Sequence, residues 1–100
     1  MKKFVYLYFG GPGHEGKEPD KAVMDAWMAY FAKLGSKLVD GGAPLVNGKV
    51  MGGGRLSNCV GYSIINAADM DEAVALTNGH PHMVGGGIVE VYEMMAIGGI

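Results

Sequence analysis

Proton transfer near neutral pH falls most naturally to imidazole, and this chain carries His14, His80 and His82. His80 and His82 are the candidate general bases, with Asp40 or Glu90 as the carboxylate that would orient them. Asp40 stands directly before Gly41-Gly42, so a turn acid is the simpler reading of it. A His-x-His pair plus one more nitrogen is also a conceivable metal set. Histidines in polar loops explain the same pattern with less, and His80 lies where the negative pole of a helix is expected. No metal site is assigned. Cys59 would act as a nucleophile only with a depressed pKa and a neighbouring base, and the sequence places neither.

The stretch from Gly11 to Lys17 fits G-x-x-x-x-G-K and lies between an expected strand and an expected helix. Glu18 stands where a magnesium-binding Ser or Thr is needed. Glu15 and Glu18 would repel phosphate, and Pro12 removes an N–H donor. A plain loop is the better reading, and no cofactor is expected. Aromatic residues offer a different chemistry. Tyr6, Tyr8 and Tyr62 lie on expected strands, where an apolar ring with a polar tip suits the wall of a cavity. With Trp27 they are the candidate ligand-binding residues, although Trp27 also fits core packing.

The elements that must position these groups are well marked. Residues 3–9 form a continuous apolar and aromatic run, read as a strand. Pro19 and Asp20 open a helix over 19–35. Its apolar positions are Val23, Ala26, Trp27, Tyr30, Phe31, Leu34 and Leu38, the spacing of an amphipathic helix. Gly35 is its expected cap. Residues 38–51 read as extended or as a hairpin turning at Asn47-Gly48. A strand is expected over 60–66, a helix over 69–78 and a strand over 87–94. Asp69 and Glu72 form a capping box in which Glu72 would bond the backbone N–H of Asp69. Gly79 would end that helix and Pro81 would prevent its resumption.

The order β-α-β-β-α-β is the split βαβ, or ferredoxin-like, arrangement: an α+β fold with helices over one face of an antiparallel sheet. The first strand is nonetheless apolar on both faces, with Val5, Leu7 and Phe9 on one and Phe4, Tyr6 and Tyr8 on the other. The uncovered face needs a partner, and a second copy of the same sheet is the economical one. A homodimer packed sheet against sheet, with cavities between the sheets, is therefore expected. The alternative is a monomer with its tyrosine hydroxyls in water.

One hundred residues make a single domain over 1–100. The net charge of −2 and the lack of any Lys/Arg run argue against a nucleic-acid or anionic-membrane surface. No segment approaches the roughly 20 apolar residues of a membrane span. MKKFVYLYFGG is too short for a signal peptide and runs into a Gly-Pro turn. A single cysteine allows no internal disulfide, which fits a cytoplasmic location.

Taken in order, MKKFVYLYFGG, Trp27…Phe31-x-x-Leu34-Gly35, LVDGGAPL, VGYSIINAADMDEAVAL, GHPHM and GGIVEVYEMM resemble the YCII-related family over nearly the whole chain. That resemblance implies a ferredoxin-like fold dimerising into an α/β barrel, and it implies little about substrate. One branch of the family uses a His–Asp pair for acid–base or elimination chemistry, its histidine in the first helix. The first helix here has no histidine, so that pair is not carried over. The Asp-Gly-Pro-Phe motif of longer relatives is also missing from GGGRLSNCVGY. The expected function is a homodimeric module binding a small apolar or aromatic metabolite between its sheets. The alternative is a cofactor-free enzyme performing proton transfer or elimination with a pocket histidine.

Overall fold

The computed structural model describes residues 1–10 and 20–97. His14, the G-x-x-x-x-G-K stretch and Pro19 lie outside the described residues. The elements are β1 (Lys2–Phe9), α1 (Lys21–Leu34), β2 (Leu38–Asp40), β3 (Cys59–Ala67), α2 (Met70–Ala75), α3 (Pro81–Val84) and β4 (Ile88–Glu93), with a 3-10 turn at Gly35–Lys37. The strands form one sheet in the order β2-β3-β1-β4, every neighbour antiparallel. This is the ferredoxin-like α+β fold. No helix among the described residues is long and apolar enough to cross a membrane.

Alternation along β1 divides the sheet into two unlike faces. Phe4, Tyr6 and Tyr8 are buried, whereas Val5, Leu7 and Phe9 between them are only half-buried. On β3 the buried partners are Gly61, Ser63, Ile65 and Ala67. Tyr30 and Leu34 of α1 and Ala73 of α2 join Phe4, Tyr6, Tyr8 and Ile65 in one core. The helices thus cover the tyrosine face. The opposite face carries Val5, Leu7 and Phe9 beside Tyr62 and Ile64 of β3 and Ile88, Glu90 and Tyr92 of β4, as the strand registers require.

The tyrosines lie under the helices because buried hydroxyls need acceptors. Six residues make a marginal helix, and the last carbonyls of α2 have no partner within it. Tyr6 Oη donates to the Ala73 carbonyl at 2.5 Å, and Tyr30 Oη donates to the Leu76 carbonyl at 2.8 Å. One strand and one helix therefore complete the end of another. At its start, Asp69 Oδ1 accepts the Glu72 N–H at 2.8 Å. The return bond differs from the expected capping box: Glu72 Oε1 accepts the Ala68 N–H at 2.9 Å, one residue earlier than Asp69. Lys37 pairs with the other Glu72 oxygen at 3.1 Å. These contacts, the Ala68 bond foremost, hold the Glu72 carboxyl below its usual range.

Other departures have local causes. Helix α1 begins at Lys21 because Asp20 is its N-cap, accepting the Val23 N–H at 2.9 Å. Gly35 ends it at φ 57°, a conformation that favours glycine. Leu38 belongs to β2 and not to the helix. Val23 and Ala26 are exposed, so only the second half of the helical stripe is used in the core. No hairpin forms at Asn47-Gly48. The chain before it bridges β3 instead, through Pro44 opposite Gly61 and the Leu45 N–H to the Val60 carbonyl at 3.0 Å. Lys49 to Met51 runs straight into three glycines, too short a segment to compete as a strand. Pro81 does not merely prevent resumption of a helix: it occupies the first turn of α3, where its missing N–H costs nothing.

Candidate functional site

His80 is the N-cap of α3 and is completely buried. It is no loop histidine in solvent. Its ring sits among Tyr30, Tyr8, Trp27 and Tyr6, with centroid separations of 4.6, 4.9, 5.0 and 5.9 Å. Burial in this aromatic seat, with a smaller push from His82, lowers its pKa to about 4. At neutral pH it is an uncharged imidazole.

Its tautomer follows from its partners. The His82 backbone N–H donates to His80 Nδ1 at 3.1 Å, so Nδ1 is unprotonated and Nε2 carries the hydrogen. Nε2–H then donates to Tyr8 Oη at 3.1 Å. Tyr8 Oη donates to Ser63 Oγ at 2.7 Å, and Ser63 Oγ donates to the Gly41 carbonyl at 2.9 Å. A backbone donor at one end and a backbone acceptor at the other fix the direction of every link. Burial raises the Tyr8 pKa well above its ordinary value, against the opposing Ser63 bond. Tyr8 is a neutral member of this chain and not a proton source.

Beside this chain lies a cavity of about 210 Å³ between α1 and the β2–β3 edge of the sheet. Trp27, Phe31, Met24 and Met28 line it from the helix. Tyr8, Val60, Gly61 and Tyr62 line it from the strands, residues 41–44 from the β2–β3 connection, and His82 from α3. None of these lining residues is a carboxylate or an ammonium group. An engineered dry cavity of about 150 Å³ takes benzene, so this space suits a single substituted ring.

The 41–44 wall depends on two small features. Asp40 Oδ1 accepts the Gly42 N–H at 2.8 Å, which turns the chain out of β2. Gly42 has φ 75°, and a Cβ there would overlap the Tyr62 carbonyl oxygen. Only glycine fits. His82 has a comparable seat: its Nε2 meets the Phe9 carbonyl at 2.9 Å, and a Cβ on Gly87 would overlap that same nitrogen. A carbonyl only accepts, so the hydrogen of neutral His82 is on Nε2.

Of the residues singled out from sequence, Tyr8, Trp27 and His82 meet at this cavity, and Tyr62, in register with Leu7 of the opposite face, borders it beside Gly42. Tyr6 does not; it is sealed in the core with its hydroxyl on Ala73. Tyr6 and Tyr8 were expected to face a cavity between two sheets, and both face the helices instead. His80 stands behind Tyr8 and outside the lining. Asp40 is exposed and serves its turn. Glu90 accepts the Tyr92 hydroxyl at 2.5 Å on the opposite face, so neither acid orients a histidine. The Cys59 thiol is directed at the Gly61 carbonyl at 3.4 Å. Among the described residues no group of three or more His, Cys, Asp or Glu side chains gathers as a metal set. Sequence reasoning missed Ser63 as a polar link and the 41–44 wall. Gly-Gly-Ala-Pro signalled a turn, and nothing in it told that the turn would close a pocket.

No family model and no curated protein sequence matches the chain. Among solved structures, the fold is similar to 5-chloro-2-hydroxyhydroquinone dehydrochlorinase from Burkholderia phenoliruptrix, solved in complex with 2,5-dihydroxybenzoquinone. The TM-score is 0.59 at 20% identity, with 93% of each chain covered. At that identity the likeness establishes the shared fold.

Proposed function

We propose that this chain is a single-domain, YCII-like module that binds a small apolar or aromatic molecule. The observation that carries the reading is the aromatic- and methionine-lined cavity of about 210 Å³ beside Trp27, uncharged among its described lining residues. Its walls offer ring faces, thioethers and few polar groups, the usual composition of a small-molecule pocket. The structural neighbour's ligand is also a single six-membered ring, which supports the size class. The binding site proposed is therefore the space under α1, in place of the inter-sheet cavity expected from sequence.

The open sheet face is proposed to pair with a second copy. Val5, Leu7, Phe9, Tyr62 and Ile64 are half-buried there, while Ile88 and Tyr92 are 62% and 50% exposed. Covering such side chains is worth about 1.5–3 kcal/mol for each one fully buried. A cytoplasmic location is part of the same proposal.

The chain has a single tryptophan, and it lines the pocket, so its fluorescence reports occupancy. Titration with toluene is expected to give saturable quenching with a dissociation constant of about 1 mM or tighter. Ala43→Phe, at an exposed position on the cavity wall, is expected to abolish it. Quenching that never saturates, or that survives Ala43→Phe unchanged, would refute the pocket. A second reading, cofactor-free proton transfer, has one observation behind it: His82 brings an imidazole to the cavity wall.

A further inference from the structure

Residues 45–58 join β2 to β3 without helix or strand, and every one of them is exposed. Loops this long inside a small domain are uncommon and tend to carry a task of their own. The composition does not suit solvent. Leu45, Val46, Val50, Met51 and Leu56 are all exposed, Met51 to 87%. Scattered singly over a surface such side chains mean little, but gathered in one loop they mark an interaction surface. The loop nonetheless has a shape. Its root is pinned to β3 by the bridge of Pro44 with Gly61 and by the Leu45 N–H, which donates to the Val60 carbonyl at 3.0 Å. The Leu56 side chain lies against Gly48, so the outgoing and returning limbs touch. Lys49 and Arg55 ride on this flap, and no Asp or Glu occurs anywhere from 41 to 68. The flap is therefore both apolar and cationic.

We infer that the flap is a docking arm for a second copy of this chain: it lies across the β4 side of the other copy's open sheet face, with Lys49 and Arg55 against Glu90 there. The inference rests on the dimer proposed above and adds the element that completes it. The β4 side offers the matching chemistry. Ile88, Glu90 and Tyr92 alternate along one face of β4 and are all exposed. Glu90 accepts the Tyr92 hydroxyl through one oxygen, and its other oxygen is a seat for a cation. The whole chain has a net charge of −2, so the flap is the part that attracts a second copy where the remainder repels it. Sheet order supplies the geometry. The flap is rooted at the β2–β3 edge, and β4 is the opposite edge of the same sheet. When two such sheets stack about a two-fold axis running along the strands, the β2 edge of each copy falls over the β4 edge of the other. Both flaps then meet a β4 at once. Stacked sheets lie about 10 Å apart. Half of the loop, extended, reaches roughly 20 Å.

Charge reversal tests the docking from both sides. Reversing the flap (Lys49→Glu with Arg55→Glu) or reversing the sheet (Glu90→Lys) places like charges at both contacts of the dimer. Each variant alone is expected to dimerise at least about tenfold more weakly than the wild type in concentration-dependent light scattering. Mixed in equal amounts, the two variants are expected to associate again, because every flap then meets an opposite charge. All of these substitutions in one chain should likewise restore the homodimer. Circular dichroism on each variant checks the fold. Trypsin cuts after Lys49 and Arg55, so cleavage of the wild-type flap should slow as concentration rises through the dimerisation range. A wild-type dimer whose affinity neither reversal touches would overturn the docking arm while leaving the dimer standing. So would variants that stay apart on mixing, or flap cleavage that ignores concentration. A wild-type protein that stays monomeric would overturn the dimer and the docking arm together.

Discussion

The two faces of the sheet are built from the same strands by different means. On the covered face, apolar burial is joined to direction. Tyr6 and Tyr30 each meet a backbone carbonyl at the end of α2, and Tyr8 links His80 to Ser63 and Gly41. Each hydroxyl there has one place to point. On the open face, Val5, Leu7, Phe9 and Ile64 supply area and little direction, and the polar pair of Tyr92 and Glu90 there is exposed. A face specified by polar links has its partner within the chain. A face specified by apolarity alone accepts any complementary surface, which is why the second copy is proposed there.

The contrast is open to test, beginning with the largest effect. Phe4→Ala on the covered face is expected to cost about 3–5 kcal/mol in urea unfolding. Leu7→Ala, half-buried on the open face, should cost under about half as much in the monomer. Equal losses in a monomeric sample would erase the difference between the faces.

Next comes acid. His80 is held neutral with a folded pKa of about 4, against 6.5 for a free imidazole. Between those values the unfolded chain binds more protons than the folded one, so stability rises with pH. Its contribution is complete above pH 6.5 and is lost as pH falls toward 4, a total of about 3 kcal/mol. His80→Gln should flatten that window in a pH series of denaturation midpoints. An unchanged slope would show that His80 is not its source.

Tyr8→Phe removes one link of the directed chain and strands a buried imidazole N–H. A loss of about 1–3 kcal/mol is expected, with circular dichroism otherwise native. A neutral outcome would mean that the chain of hydroxyls does not specify the covered face. The smallest effect on folding is expected from Ile88→Lys. Ile88 is 62% exposed on the open face, so monomer stability should move by no more than about 0.5 kcal/mol. Light scattering should nonetheless show the proposed dimer dissociating. A species that is monomeric before the substitution contradicts the dimer.

The fold was legible because its signals are local. The aromatic alternation of β1, the Asp69 cap and Gly35 each act within a few residues, whereas the helix expected to run to Gly79 already ends at Ala75, with Leu76 as its C-cap. The site was less so, because its geometry comes from contacts far apart in the chain. Tyr8 and Ser63 are joined only by strand register, and Gly42 meets Tyr62 only because β2 pairs with β3. The alternation of β1 separated two faces correctly but did not say which one the helices would cover. That choice followed from acceptors at the end of α2, which no pattern within β1 records. The Asn47-Gly48 signal failed for the converse reason: a local turn preference lost to an available strand edge.

The central claim is that ligand enters under α1 and not across the open sheet. Of the eight methionines, Met24 and Met28 line the cavity, while Met94 directly follows β4, in step with its open-face residues. The most direct test is a methyl NMR titration of methionine-labelled protein with toluene. The account predicts saturable shifts confined to the Met24 and Met28 methyls, with Met94 and the remaining methionines unmoved. Shifts centred on Met94, with Met24 and Met28 silent, would contradict it.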